Sequence, residues 1–164
     1  MNKALKFKGW FDVRIFDKHG RLKKVLTAHN GVVNEGKDKV LGVMFNAVTQ
    51  ITPWFMGLIN NSPSPTLAAA DTMGSHGGWD ESDDYSEGTR PAWPEDAASG
   101  QQITNSTEVV FTIDATVTIA GFFLTSDSAK NGVAGTLWCT ALFDGGAQSV
   151  ISGDTLKVTY TLST

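Results

Sequence analysis

Cysteine and histidine are scarce in this sequence, which limits the chemistry that the chain can perform. Cys139 is the only cysteine, so no disulfide can form within the chain. It lies in the apolar run 137–143, where a buried structural thiol is more common than a nucleophile. Only three histidines are present, and His19 and His29 fall in a predicted turn and at a strand end. Little material is therefore available for acid–base catalysis at neutral pH.

Motifs of catalysis and nucleotide binding are also missing. The chain contains no Gly-x-Ser-x-Gly elbow and neither of the glycine-rich patterns that cradle phosphates. We therefore expect no catalytic residues, no resident metal, no cofactor and no enzymatic activity.

Long apolar runs are absent too. No stretch of about 18 apolar residues occurs, so we expect no membrane span. Residues 1–8 begin basic but lead into no apolar segment, which is not typical of a signal peptide. We expect assembly in the cytoplasm, where a single thiol stays reduced.

Charge is divided unevenly along the chain. Residues 1–46 hold ten Lys or Arg against four acids, a net +6, and residues 47–164 hold three against thirteen, a net −10. Such polarity can orient a small domain on a partner of opposite sign, although signs can also segregate on a merely solvated surface. A pI of about 5.2 argues against nucleic acid as the partner.

Apolar and polar residues alternate from Phe11 to Asp17, which predicts an N-terminal β-hairpin within residues 1–30 that turns at residues 18–20. The alternation directs Phe11, Val13 and Ile15 to the core. A helix is predicted at residues 34–46, with Asn34 as its N-cap, and a strand at residues 51–59.

Residues 60–102 lack sustained periodicity and hold four of the five prolines. A short helix is expected at residues 67–73. Trp79, Tyr85 and Trp93 also lie in this segment, and disordered linkers seldom carry such rings. We predict an ordered loop excursion.

Five strand-like runs separated by turn signals fill residues 103–164. Together these features predict one mainly β domain spanning residues 1–164. The expected architecture is an antiparallel β-sandwich with one short helix. The pattern leaves jelly-roll and immunoglobulin-like topologies open.

The excursion permits two binding hypotheses, each with a structural alternative. Asp71, His76 and the acidic run 80–84 could ligate a divalent cation, but the spacing lacks the pattern of a calcium loop, and a solvated loop pinned by Asp71 and His76 is favoured. Trp79, Tyr85 and Trp93 could stack on a glycan, or form a small core of the loop itself.

Several short motifs resemble a family of small proteins from tailed bacteriophages. The motifs are Asn-Gly-Val-Val-Asn-Glu-Gly at 30–36, Phe-Met-Gly-Leu-Ile at 55–59, Ala-Asp-Thr-Met at 70–73, Tyr-Ser-Glu-Gly-Thr-Arg-Pro-Ala-Trp at 85–93, Ile-Thr-Asn-Ser at 103–106, Gly-Thr-Leu-Trp at 135–138 and Gly-Asp-Thr-Leu-Lys-Val-Thr-Tyr at 153–160. The similarity extends over nearly the whole chain from about residue 30.

This resemblance implies a virion structural protein, and for a chain of this size a capsid cement or decoration protein. The implied partners are the major capsid protein of the phage head and further copies of the chain, as a trimer or dimer. A tail or fibre-associated protein and a host-glycan binding module are the alternatives. The resemblance carries no catalytic residues.

Two groups of contact residues follow from these expectations. Contacts to the capsid or a neighbouring copy are expected at Trp10, Phe11, Arg14, Phe16, Arg21, Lys23, Lys24 and Trp54. Contacts or glycan stacking by the excursion are expected at Trp79, Tyr85, Arg90 and Trp93. An exposed edge of the hairpin could add a strand to a neighbour, and the excursion is long enough to reach another protomer.

Overall fold

A computed structural model describes residues 6–164 as a mainly β fold with one α-helix. The elements are β1 Lys8–Phe16, β2 Leu22–Val32, α1 Asn34–Phe45, β3 Trp54–Asn60, β4 Glu81–Ser82, β5 Ala92–Trp93, β6 Gln102–Thr104, β7 Val109–Thr112, β8 Val117–Thr125, β9 Leu137–Phe143, β10 Gln148–Val150 and β11 Thr155–Ser163. The predicted hairpin, helix and C-terminal strands are confirmed. The expectations for residues 1–5 lie outside the described residues.

The strands form one open antiparallel sheet that is consistent with a β-sandwich. Its order is β4-β3-β8-β9-β2-β1-β11-β6, with β5 on β3, β10 on β8 and β7 on β11. Phe11 on β1 stacks on Phe122 of β8, with ring centroids 5.2 Å apart, although two strands separate β1 from β8 in the sheet. The sheet therefore curls over on itself, and its concave face encloses the main core.

The hairpin follows the predicted alternation. Phe11, Val13 and Ile15 are buried, and Gly20 adopts φ +77° in the turn. The expected free edge is wrong for β1, because β1 pairs with β11 over its whole length and with β2 from Trp10 to Phe16. Its backbone hydrogen bonds are already used within the chain.

The helix contains two glycines, Gly36 and Gly42, and it depends on packing against the sheet. Gly36 lies so close to β9 that an added Cβ would be 2.6 Å from the carbonyl oxygen of Trp138. The N-cap position is occupied by Val33 and not by Asn34, and no side chain caps the helix there. The Asn34 N–H instead donates to the carbonyl of Ala69 at 2.8 Å, because the excursion passes the start of the helix.

The first half of the excursion covers the outer surface of β3 and β8. Met73 and Trp79 are buried there against Phe123, with the Trp79 and Phe123 rings 5.0 Å apart. The expected helix at 67–73 does not form. The Asp71 carboxylate accepts hydrogen bonds from the Ala68 N–H at 2.9 Å and from Nε1 of Trp79 at 3.1 Å, and this fixes a turn in place of a helix.

The second half of the excursion joins two edges of the sheet. The short strands β4 and β5 pair with β3, and isolated bridges connect Tyr85 with Ile113 and Glu95 with Asn105. The segment thus runs between β3 on one side and β6 and β7 on the other. The expectation that the excursion reaches another protomer is not supported, because its length is used inside its own chain.

Close strand contact at Gly121 yields the first prediction. A Cβ at Gly121 would fall 1.8 Å from the carbonyl oxygen of Ala141 on the neighbouring strand. We expect Gly121→Ala to lower the free energy of unfolding by about 2–4 kcal/mol, because the backbone must shift to relieve the clash. Denaturant unfolding measures this.

Gly31→Ala is the matched control, since Gly31 also lies in a strand but has no atom within 4 Å of the added Cβ. We expect it to be neutral or stabilising by up to about 1 kcal/mol. Equal losses in the two variants would contradict the close-contact explanation.

Candidate binding surfaces

The basic residues predicted as contacts lie at the turn end of the hairpin. Arg14, Arg21, Lys23 and Lys24 are exposed. Several of these cations have intramolecular partners: Arg14 pairs with Glu108, Arg21 with Asp17, Lys23 with buried Asp154, and Lys24 donates to Gln148. The intramolecular pairs restrict the side chains without removing them from solvent.

Phe16 is half-buried between two cations. Its ring centroid lies 5.5 Å from Cζ of Arg14 and 5.1 Å from Nζ of Lys157. Arg14 and Lys157 face each other in the register of β1 and β11, so the fold places two like charges around one aromatic ring. Lys157 was not predicted, because only the strand register connects it with Phe16.

These residues define one surface, the basic end of the hairpin, formed by Arg14, Phe16, Lys18, Arg21 and Lys157. The carboxylates of Asp17 and Glu108 beside these cations are already bound within the chain. The Asp17 carboxylate accepts hydrogen bonds from the N–H groups of Arg21 and His19 at 3.0 and 2.8 Å. The surface is preorganised, and its net charge is positive.

Trp10, Phe11 and Trp54 lie elsewhere. Phe11 is fully buried and cannot contact a partner, because the strand alternation turns it against Phe122 and Tyr160. Trp10 is half-buried, and its Nε1 donates to Asp12 at 3.1 Å.

Trp54 lines an apolar groove at the opposite end of the sheet, under α1. The groove has a volume of about 370 Å³, and its walls include Val40, Val43, Ile51 and Trp138. The sheet therefore has two chemically different ends, a basic one at the hairpin turn and an apolar one at the helix.

The four excursion residues predicted as contacts are all buried. Trp79, Tyr85, Arg90 and Trp93 are each at most 5% exposed. Trp93 donates from Nε1 to Asn105 at 3.0 Å and packs edge-on against Tyr160. The surface-contact and glycan-stacking expectations are therefore wrong for this arrangement, because the ring faces are already packed, and the alternative of a loop core holds.

Arg90 fastens the excursion to the connection between β8 and β9. Its Nε and Nη2 atoms donate to the two carboxylate oxygens of Glu81 at 2.9 and 2.7 Å. Nη1 and Nη2 donate to the carbonyls of Asp127 and Gly132 at 2.9 and 3.0 Å, and the guanidinium lies over the Phe123 ring. Every direction around the group is used within the fold, so its role is structural.

The acidic loop has the pinning role favoured from the sequence. His76 stacks on Trp79, and its Nδ1 lies 3.0 Å from the carbonyl oxygen of Thr72. Glu81 is engaged by Arg90. Among residues 6–164, no three His, Cys, Asp or Glu side chains come together in a group that could hold a metal ion.

Cys139 is fully buried on β9. Burial raises the pKa of its thiol to about 11, and the Sγ atom lies 3.7 Å from the Tyr160 hydroxyl. Tyr160 also accepts a hydrogen bond from Nε1 of Trp138 at 3.0 Å. The thiol belongs to an interior cluster and does not face a cleft.

No protein-family model matches the chain, and no curated protein is significantly similar to it. No helix within the described residues has the length and apolar character needed to cross a membrane.

Thiol reactivity provides the second prediction. We expect the native protein to resist modification by a disulfide reagent at pH 8, because burial removes access and disfavours the thiolate. Modification should go to completion in denaturant. Rapid labelling of the folded protein would contradict the buried position of Cys139.

The hairpin turn provides the third prediction. Hydrogen bonds from Arg21 and His19 hold the pKa of Asp17 at about 2, against a usual 3.8. A carboxyl group with a lowered pKa stabilises the fold at pH values above its usual pKa of 3.8. This stabilisation is lost as the pH falls towards about 2. Asp17→Asn should therefore be less stable than the natural protein at pH 7, and the difference should shrink below about pH 4.

Chemical unfolding from pH 7 to pH 2 measures this difference. Asp114→Asn is the control, because Asp114 is exposed and its carboxylate accepts no hydrogen bond within the described residues. A loss in Asp17→Asn that stayed constant over the whole pH range would exclude the charge of Asp17 as its cause.

Proposed function

We propose that this chain is a non-enzymatic structural protein of a tailed bacteriophage, a cement or decoration protein that attaches to the head shell. The observation that carries the proposal is the basic end of the hairpin. It presents Arg14 and Lys157 beside the Phe16 ring, with Lys18 and Arg21 at the adjoining turn, on a chain whose net charge is −4. The resemblance in residues 30–160 supplies the phage context.

The buried polar groups named above are already bound within the fold, which favours a function carried by the surface. Arg90, Asp71 and Trp79 satisfy one another or neighbouring backbone groups, and the apolar side chain of Phe11 fills the core. The groups left for an external partner are therefore the exposed cations of the hairpin and the apolar surface at the helix.

Charge complementarity explains how attachment would occur. A basic surface at the turn end of the hairpin, on a protein whose net charge is negative, directs that end towards an acidic patch on the shell. Because the contacting cations remain exposed, salt screens them, and attachment should weaken as the ionic strength rises.

The fourth prediction concerns this attachment. The double variant Lys18→Glu and Lys157→Glu reverses charge at the basic end without removing an ion pair found among the described residues. We expect it to bind purified shells that lack the protein at least about tenfold more weakly than the natural chain at 0.1 M salt, since at least two favourable charge contacts become repulsive. Co-sedimentation with shells measures binding.

The matched control is Lys6→Glu with Lys8→Glu. Both lysines are exposed, and the change of net charge is the same, but they lie roughly 25 Å from the turn at about 3.3 Å per strand residue. Equal weakening by the two double variants would show that net charge alone governs attachment.

Copy number in purified virions tests the wider proposal. A cement protein occurs in a fixed, high ratio to the major capsid protein, because it repeats with the symmetry of the shell. We expect such a ratio on a quantified gel, and heat-sensitive shells when the protein is missing. A few copies confined to the tail would instead indicate a tail or fibre-associated protein.

A further inference from the structure

The outer face of α1 carries a group of exposed apolar side chains. Leu41, Met44 and Phe45 are 56%, 67% and 81% exposed and lie within two turns of one helix. The other large exposed apolar residues lie on strands and loops, two of them, Leu22 and Val25, on β2. A concentrated apolar patch beside an apolar groove is typical of an interaction surface, whereas isolated apolar residues are ordinary.

Among residues 6–164, the fold leaves this patch uncovered. The opposite face of the helix is fixed by the contact of Gly36 with Trp138. At the C-terminal end, the N–H groups of Asn46 and Val48 both donate to the carbonyl of Gly42, at 3.0 and 3.1 Å, and this local turn ends the helix. With its Gly36 side against β9, the helix leaves Leu41 and Phe45 exposed to solvent.

The charges on the helix point to a particular partner. The last turn contains no basic residue, although the C-terminal carbonyls of a helix attract cations. Lys37, Leu41 and Phe45 are spaced four residues apart and therefore lie along one stripe. This stripe has a cation at one end, an aromatic ring at the other and a leucine in the centre.

We propose that this face binds the same face of a second copy, with the two α1 helices antiparallel and a twofold axis at Leu41. In that arrangement Lys37 of each copy lies over Phe45 and the C-terminal carbonyls of the other. The two contacting faces are identical and complementary to each other, as a twofold interface requires. Each helix supplies the positive charge that the other lacks, and the cation–ring contact adds to it.

A lipid surface fits this helix less well. Membrane-surface helices carry a basic polar face, whereas Glu35 and Asp38 balance Lys37 and Lys39 on α1. The dimer goes beyond the proposed function and does not depend on it, because it uses the helix end of the molecule and leaves the basic end of the hairpin free.

Sedimentation velocity of the purified chain is the fifth test. We expect a concentration-dependent dimer, and we expect Leu41→Asp to weaken dimerisation at least about tenfold, because the twofold axis would bring the two carboxylates face to face. Ile151→Asp is the matched control, because Ile151 is 49% exposed at the opposite end of the sheet, and it should dimerise like the natural chain. Thermal melting checks that both variants fold.

Cross-linking tests the twofold geometry separately. A residue on a twofold axis meets its own copy, so Leu41→Cys should be joined to a second chain by a short bismaleimide, whereas Ile151→Cys should not. Native Cys139 is buried and does not interfere. A natural chain that stays monomeric, a trimer, a Leu41→Asp variant that still dimerises fully, or equal cross-linking at both positions would overturn the proposal.

Discussion

An open sheet needs its edge strands protected, and the rest of this structure depends on how this chain protects them. Strands with unpaired backbone groups would otherwise pair with other chains. Here the excursion lies between β3 and the strands β6 and β7, using two short strands and two isolated bridges. Arg90 holds this arrangement through Glu81 and two carbonyls. A segment rich in proline and acidic residues thus replaces the regular strands that a closed barrel would use.

Packing across the curled sheet depends on that closure. Phe11, Phe122 and Tyr160 meet inside because β1 and β8 are brought face to face. Glycines permit the closest approaches: Gly121 against the Ala141 carbonyl, and Gly57 against the Phe123 ring. The rings of Phe11, Phe122 and Tyr160 fill the inner face, and the outer face of the hairpin remains available to carry charge.

The regular elements could be predicted from the sequence, because their signals are local. Alternation along β1 and β11 predicted both the strands and their buried faces, and helical spacing predicted α1. The strands β4 and β5 could not be predicted, because two residues are too few to show a period. The turn at Asp71 was missed for a related reason, since the Trp79 side chain that fixes it lies eight residues away.

The candidate surfaces were predicted only in part. Arg14 and Arg21 were identified as contacts from sequence, Lys18 was not, and Lys157 joins them only through the register of β11. From sequence alone, the aromatic rings of the excursion were consistent with either a platform for glycan stacking or a small core of the loop. Their burial depends on long-range partners such as Phe123 and Asn105, to which no local pattern points.

The covering of β3 and β8 by residues 66–79 also makes the molecule one-sided. One surface of the sheet is hidden beneath this layer, so the exposed sheet surface is essentially that of the hairpin and β11. A domain with one exposed sheet surface can attach through that surface in only one orientation. On any ordered array, every copy would then present the same covering layer, with exposed Asp80 beside it, to the surroundings, and an antibody against that layer would recognise all copies alike.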